Sequence, residues 1–265
     1  MAINPLSPAK RPAKRLIQSI LHKVGLHVAR FYDPCYLTAK RMEILRESTI
    51  NLVLDVGANT GQYAETLKAN GFRGRVISFE PTSEAFRTLA QKAASDERWS
   101  CEQLALSDSE GMRPINLSAN SWSSSLLPLA ARSVRSAPGS VYVGSEAVTT
   151  SRLDTVAQRL FRPGDRVLLK LDVQGHELAV LRGGKRALTH IEAVESELSV
   201  VPLYEGQPLI VGVLVFLNQL GFELVALEPG YCDPHTGQVL QLDGLFVRSP
   251  TGGRGAANGQ TAGGV

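Results

Sequence analysis

The 265-residue chain contains no run of eighteen or more apolar residues, so no segment is long enough to cross a bilayer as a helix. It also lacks, at its start, the apolar stretch and small-residue cleavage site of a secretory signal. Cysteine is scarce: Cys35, Cys101 and Cys232 are odd in number and far apart. That excludes a disulfide framework and the paired spacing of a zinc site. It predicts reduced thiols in a cytoplasmic protein. Charged residues are 20% of the chain and apolar ones 43%, a balance that suits a folded domain with a sizeable core.

Negative charge is missing from one end. Before Asp33 there are six bases (Lys10, Arg11, Lys14, Arg15, Lys23 and Arg30) and no acid. Of 28 bases in all, 22 remain for the rest of the chain against 25 acids, so the body is mildly acidic. An acidic body argues against nucleic acid as a partner. In the basic arm, Ile17, Ile20, Leu21, Val24, Val28 and Phe31 recur at helical spacing. That amphipathic helix is expected either to pack its apolar stripe on the body or to lie peripherally on the inner, anionic face of a membrane. The chain thus divides into an arm (1–33), a domain (34–248) and a Gly-rich tail (249–265) expected to be disordered.

Within the domain, short apolar runs alternate with helical patterns. Strands are expected over 51–56, 75–79, 99–106, 166–171, 191–198, 222–227 and 244–247. Helices are expected over 62–70, 83–94, 177–188 and 208–220, with Gly71 and Gly221 as stops. This alternation predicts an α/β fold with a mostly parallel sheet, helices on both faces and an antiparallel edge strand. The stretch 108–149 interrupts the rhythm. It is rich in Ser, Ala and Pro, contains Trp122, and is expected to be a lid or binding loop with some strand near 140–143.

Four strand ends carry chemistry. The first is Asp55-Val56-Gly57-Ala58-Asn59-Thr60-Gly61, an acid and two glycines at a strand-to-helix turn, where open α/β sheets bind ligands. Gly57 and Gly61 let a ligand approach the backbone. A dinucleotide site would need G-x-G-x-x-G. The third glycine is lacking, and Asp55 would repel a pyrophosphate. An acid suits a cationic, phosphate-free nucleoside such as S-adenosylmethionine. The competing reading is a plain turn capped by Asn59 or Thr60. The second strand end is Glu80-Pro81, about twenty residues further on, where an acid accepts hydrogen bonds from ribose hydroxyls.

The third is Ala105-Leu106-Ser107-Asp108. Its apolar atoms can cover an adenine with Ser107 at the edge, or it is simply a strand entering a turn. The fourth is Leu171-Asp172-Val173-Gln174-Gly175-His176-Glu177. Asp172 is expected to face the same cleft as Asp55, and His176 can accept a proton from a hydroxyl, unless His176 and Glu177 merely begin a helix. On the next strand Glu195 and Glu197 point the same way. Both on a buried face would be costly without partners, whereas Glu197 near the strand end can orient a substrate hydroxyl. Asp172, His176 and Glu197 are therefore the candidate proton acceptors. No metal-ligand spacing is present, and no metal is expected.

These motifs converge on a known group. The chain resembles the FkbM-family methyltransferases from about Asn51 to Val247. The resemblance rests on V-L-D-V-G-A-N-T-G-Q-Y, S-F-E-P-T, A-L-S-D-S-E-G, S-R-L-D-T at 151–155 and K-L-D-V-Q-G-H-E-L-A-V-L-R-G at 170–183. It implies a class I, Rossmann-like fold that uses S-adenosylmethionine to methylate hydroxyl oxygens of macrolides, sugars or glycolipids. It further implies that Asp55, Gly57 and Gly61 line the cofactor, that Glu80 holds the ribose and that Asp172 sits at the catalytic cleft. Gln174 departs from the family, which often has Glu there. The competing functions are a nicotinamide-linked oxidoreductase and a non-catalytic, membrane-associated cofactor-binding scaffold. The favoured substrate, given the arm and the Ser-rich stretch, is a sugar hydroxyl of a glycolipid or glycan.

Overall fold

The computed structural model describes residues 37–249. The basic arm (1–33) and the tail beyond Ser249 lie outside the described residues. The first half of the fold runs α1 (Leu37–Glu47), β1 (Leu52–Val56), α2 (Gln62–Ala69), β2 (Arg75–Phe79), α3 (Ser83–Ala93), β3 (Trp99–Glu102), β4 (Ala105–Ser107) and β5 (Gly111–Ser118). It continues with α4 (Ala131–Ser136), β6 (Tyr142–Arg152), α5 (Leu153–Leu160), β7 (Val167–Leu171), α6 (Glu177–Arg182), β8 (Ile191–Ser199), α7 (Ile210–Gln219), β9 (Phe222–Pro229) and β10 (Gln241–Arg248).

Seven strands form one sheet in the order β3-β2-β1-β7-β8-β10-β9. β1 is buried at every position, as a strand with helices on both faces must be. Leu52, Leu54 and Val56 enter the core shared with α5, α6 and α7. Val53 enters the opposite core, with α1, α2 and α3. The sheet is the mostly parallel α/β arrangement expected of a class I, Rossmann-like methyltransferase. β10 is antiparallel to both neighbours, so the reversed strand sits one place in from the edge and β9 closes it.

Register positions the chemistry. Asp55 pairs with Ser78 on one side and Lys170 on the other, and Lys170 pairs with Glu195. These residues form a polar row across four strands on the face that α1 and α2 cover. Alternation places the residues two further along on the same face. That second row is Glu80, Gly57, Asp172 and Glu197, and Glu197 pairs with Asp243.

Three local expectations change. The run 99–106 is two strands: β3 stays in the main sheet, while β4 joins β6 and β5 in a separate three-stranded sheet. The interruption at 108–149 holds β5 and most of β6, paired as a hairpin, and the long connection between them, 119–141, contains Trp122 and α4. The helix begun at Glu177 stops at Arg182, and Gly183 beyond it lies against the Ser107 backbone, where a Cβ would come within 2.1 Å of the carbonyl oxygen. Buried Asp154, from the S-R-L-D-T segment, then accepts the Arg186 and Ala187 amides at 3.0 and 2.8 Å. The Asp154 amide in turn donates to the Gly183 carbonyl at 3.0 Å, so two of the motifs behind the family resemblance close on each other as a packing unit.

Candidate active site

The polar row is the floor of the site. Asp55 is fully buried. Ser78 Oγ donates to its Oδ2 at 3.1 Å, and Lys170 Nζ lies 3.4 Å from Oδ1. Trp99 Nε1 in turn donates to Ser78 Oγ at 3.0 Å. Burial works against the Lys170 ammonium, but Asp172, Asp55 and Glu195 together hold it protonated and raise its pKa. Burial likewise raises Asp55, and Lys170 and Ser78 oppose that rise. At the other end of the row, Arg41 grips Glu195 through two contacts of 2.5 Å. Tyr63 Oη donates to the same carboxylate at 2.9 Å. Glu195 thus finds the partners that a buried acid requires.

The turn above this floor depends on backbone shape. Gly57 has φ +77°, and a Cβ there would stand 1.8 Å from the Asp172 carbonyl oxygen. Asn59, at φ +48°, adopts the left-handed region that asparagine tolerates. Its amide N–H donates to Glu80 Oε2 at 2.9 Å, and its side chain donates to the Ser121 carbonyl at 2.8 Å. Thr82 donates to Glu80 Oε1 through both its amide and its hydroxyl. Glu80 therefore ties two strand-end turns together.

Over these turns opens a cavity of about 390 Å³, within the range of small-molecule sites. Leu104, Ala105, Leu106, Ile115 and Leu126 make one end apolar. Arg41, Tyr63, Lys170 and Asp172 make the other end polar. Asp172 Oδ1 accepts from Gln174 Nε2 at 2.7 Å, and its Oδ2 lies 3.5 Å from Lys170 Nζ. The same Gln174 amide donates to Glu197 at 3.3 Å, while Tyr204 Oη donates to Gln174 Oε1 at 2.6 Å. Burial, then the charges of Asp172, Glu177 and Asp243, push the Glu197 carboxyl well above the usual carboxylate range.

Glu177 staples the turn that carries Asp172 and Gln174. Its Oε1 accepts the Val173 and Gly175 amides, each at 3.1 Å. Burial is the main cause that pushes its pKa from 4.5 up to about 7. A carboxyl raised on folding favours the fold while it stays protonated. Its contribution is complete below 4.5 and is lost as pH climbs through about 7. Glu177→Gln keeps an acceptor for both amides and removes the titration. Its melting temperature is expected to match wild type near pH 4.5 and to exceed it by several degrees at pH 8, for a limit of about 3 kcal/mol. An offset that is the same at both pH values would show that ionisation of Glu177 is not the cost.

Gly57, Asn59, Glu80 and Pro81 line the cavity, as do Ala105, Leu106, Asp172 and His176. Asp55 lies beneath it rather than in its wall. Gly61 faces Trp99, whose ring a Cβ would approach to 2.7 Å. Ser107 is fully buried and reaches the cavity only through His176. Glu197 stands behind Gln174. The sequence pattern did not single out Arg41, Tyr63 or Lys170, whereas the Trp122 loop, expected to be a lid or binding loop, does line the cavity. Lys170 carried a signal all the same: a lysine inside an otherwise apolar strand must have an acidic partner.

The chain is similar to known proteins. A family model described as the methyltransferase FkbM domain matches residues 55–224. The 2-O-methyltransferase NoeI of Sinorhizobium fredii (strain NBRC 101917 / NGR234) is 28% identical over 192 residues, covering 70% of this chain and 77% of NoeI. Among solved structures, methyltransferase FkbM from Methylobacillus flagellatus KT aligns with 86% of this chain at 16% identity and a TM-score of 0.48. This chain spans 50% of the length of that protein. An rRNA methylase from Streptococcus thermophilus aligns with 83% of this chain and 99% of its own at 11% identity and a TM-score of 0.44.

Proposed function

This chain belongs to the FkbM methyltransferase family and is an S-adenosylmethionine-dependent methyltransferase, and we propose that it methylates a hydroxyl oxygen of a sugar in a glycan or glycolipid. The observation that carries the proposal is Asp172, a carboxylate on the cavity wall beside the bare backbone of Gly57, with a donor on each oxygen. The similarity to a 2-O-methyltransferase supports oxygen as the acceptor atom.

The cavity suits the cofactor on its own terms. Gly57 leaves open backbone where any side chain would collide, and Asp55 beneath it is buried and held by Ser78 and Lys170. Glu80 and Asp172 line the cavity, and two acids in the wall favour a cationic nucleoside and disfavour the pyrophosphate of a nicotinamide dinucleotide. When bound, S-adenosylmethionine supplies an electrophilic methyl group on a sulfonium. The chain supplies position and a proton acceptor. In our assignment Glu80 holds the ribose hydroxyls, Pro81, Ala105 and Leu106 flank the purine, and Asp172 takes the proton of the acceptor hydroxyl. Glu197, behind Gln174, accepts from the same amide that donates to Asp172, and so acts as a positioning residue. The basic arm is assigned to an anionic membrane surface, beside which a lipid-linked acceptor would lie.

The test is to incubate the full chain with methyl-labelled S-adenosylmethionine and separated lipid, polysaccharide and small-molecule fractions of cells. Label is expected in lipid or polysaccharide and to resist mild alkali, as an ether does and an ester does not. Label confined to small molecules, protein or nucleic acid would overturn the sugar assignment.

A further inference from the structure

His176 lies on the cavity wall but is engaged differently from Asp172. Its Nε2 is 2.9 Å from Ser107 Oγ, at the end of β4 and next to the apolar end of the cavity. That hydroxyl also lies 3.3 Å from Asp108 Oδ1 and 3.4 Å from Arg113 Nη1. A hydroxyl has one proton to give, and the charged Asp108 oxygen is the strongest acceptor in reach. Ser107 therefore donates to Asp108 and accepts from Arg113 and from His176 Nε2–H. This leaves His176 Nδ1 as a bare lone pair. Nδ1 has no hydrogen-bond partner among the described residues, and it is not sealed from solvent.

Leu104, Leu106, Ile115 and Leu126 line the same cavity as His176, an apolar setting for a flat heterocycle. We infer that His176 reads the exocyclic amine of the cofactor's purine and is a specificity-determining residue of the nucleoside end, not the proton acceptor. This rests on the methyltransferase reading of the cavity. Burial, and then Arg113, push the imidazole down to about 4, so the ring is neutral and its lone pair available throughout the physiological range. Asp108 opposes that shift without reversing it.

The experiment is calorimetric titration of the full chain with S-adenosylhomocysteine and with S-inosylhomocysteine, in which a carbonyl oxygen replaces the amine. Wild type is expected to prefer the adenosyl compound by at least about tenfold. In His176→Phe, which keeps the setting apolar, adenosyl affinity should fall by about tenfold while inosyl affinity does not, so the preference collapses. Ser107→Ala, which frees the ring to turn or change tautomer, should weaken the preference in the same direction. A merely structural role for His176 would lower both affinities together. An unchanged preference in both variants, or no preference in wild type, would overturn the inference while leaving the cofactor assignment intact. Wild type that binds neither compound would instead defeat the cofactor assignment, and the inference with it.

Discussion

Gly57→Ala is expected to lose at least about a hundredfold in affinity for S-adenosylhomocysteine and to melt several degrees below wild type, by analogy with other substitutions at strained backbone sites. The reason is geometric. The added Cβ would lie 1.8 Å from the Asp172 carbonyl oxygen, and φ is +77°. That oxygen is backbone at the end of a buried strand and cannot swing away as a side-chain tip can. Relief requires separating the β1 and β7 turns, which carries Asp172 off the cavity wall and breaks the Lys170 Nζ bond to the Gly57 carbonyl at 3.2 Å. Gly71→Ala is the control. Its φ is also positive, at +95°, but nothing lies within 4 Å of the added carbon. It should show only the local backbone cost of roughly 1–2 kcal/mol and bind normally. Calorimetry and thermal melts of the two variants decide the matter. Near-normal binding by Gly57→Ala would mean that the turn is not the cofactor platform.

Asp172→Asn is expected to reduce kcat by about 10²- to 10⁴-fold, the range for removing a general base. Cofactor affinity should change by less than about threefold, since no direct cofactor bond need be lost. Asparagine preserves shape and keeps an oxygen for the Gln174 amide. Lys170 retains Asp55 at 3.4 Å, so no buried charge is left alone. The split between kcat and affinity separates a proton acceptor from a binding residue. If kcat persists, Asp172 only positions Lys170 and Gln174, and the proton leaves by another route.

Much of the frame was legible because it is local. β1 shows itself as an apolar run ending in Asp55, and the turn shows itself through Gly57 and Asn59, since strand period and left-handed conformations are properties of a few consecutive residues. Glu80 and Asp172 were legible for the same reason, each being an acid at the end of an apolar strand. The split at 99–106 was not. Both halves have strand character, and only the three-stranded sheet at β4 draws Ala105–Ser107 away. Nor could spacing reveal that Glu195 is held by Arg41, 154 residues away.

The sequence by itself determined the alternating elements, the acids and glycines at their ends and, through five motifs in order, the methyltransferase family. Tertiary structure alone decided which of those residues face one another. Asp55, Ser78, Lys170 and Glu195 become a single row because β1, β2, β7 and β8 pair in one register. A one-residue slip of any strand would turn its polar member into the opposite core. Register is chosen by the packing of both faces at once, and in the β1–β7 pair the partners are more than a hundred residues apart. The same choice places Asp55 under the turn instead of in the cavity wall, and leaves Gly57, two residues on, as the surface that a ligand meets.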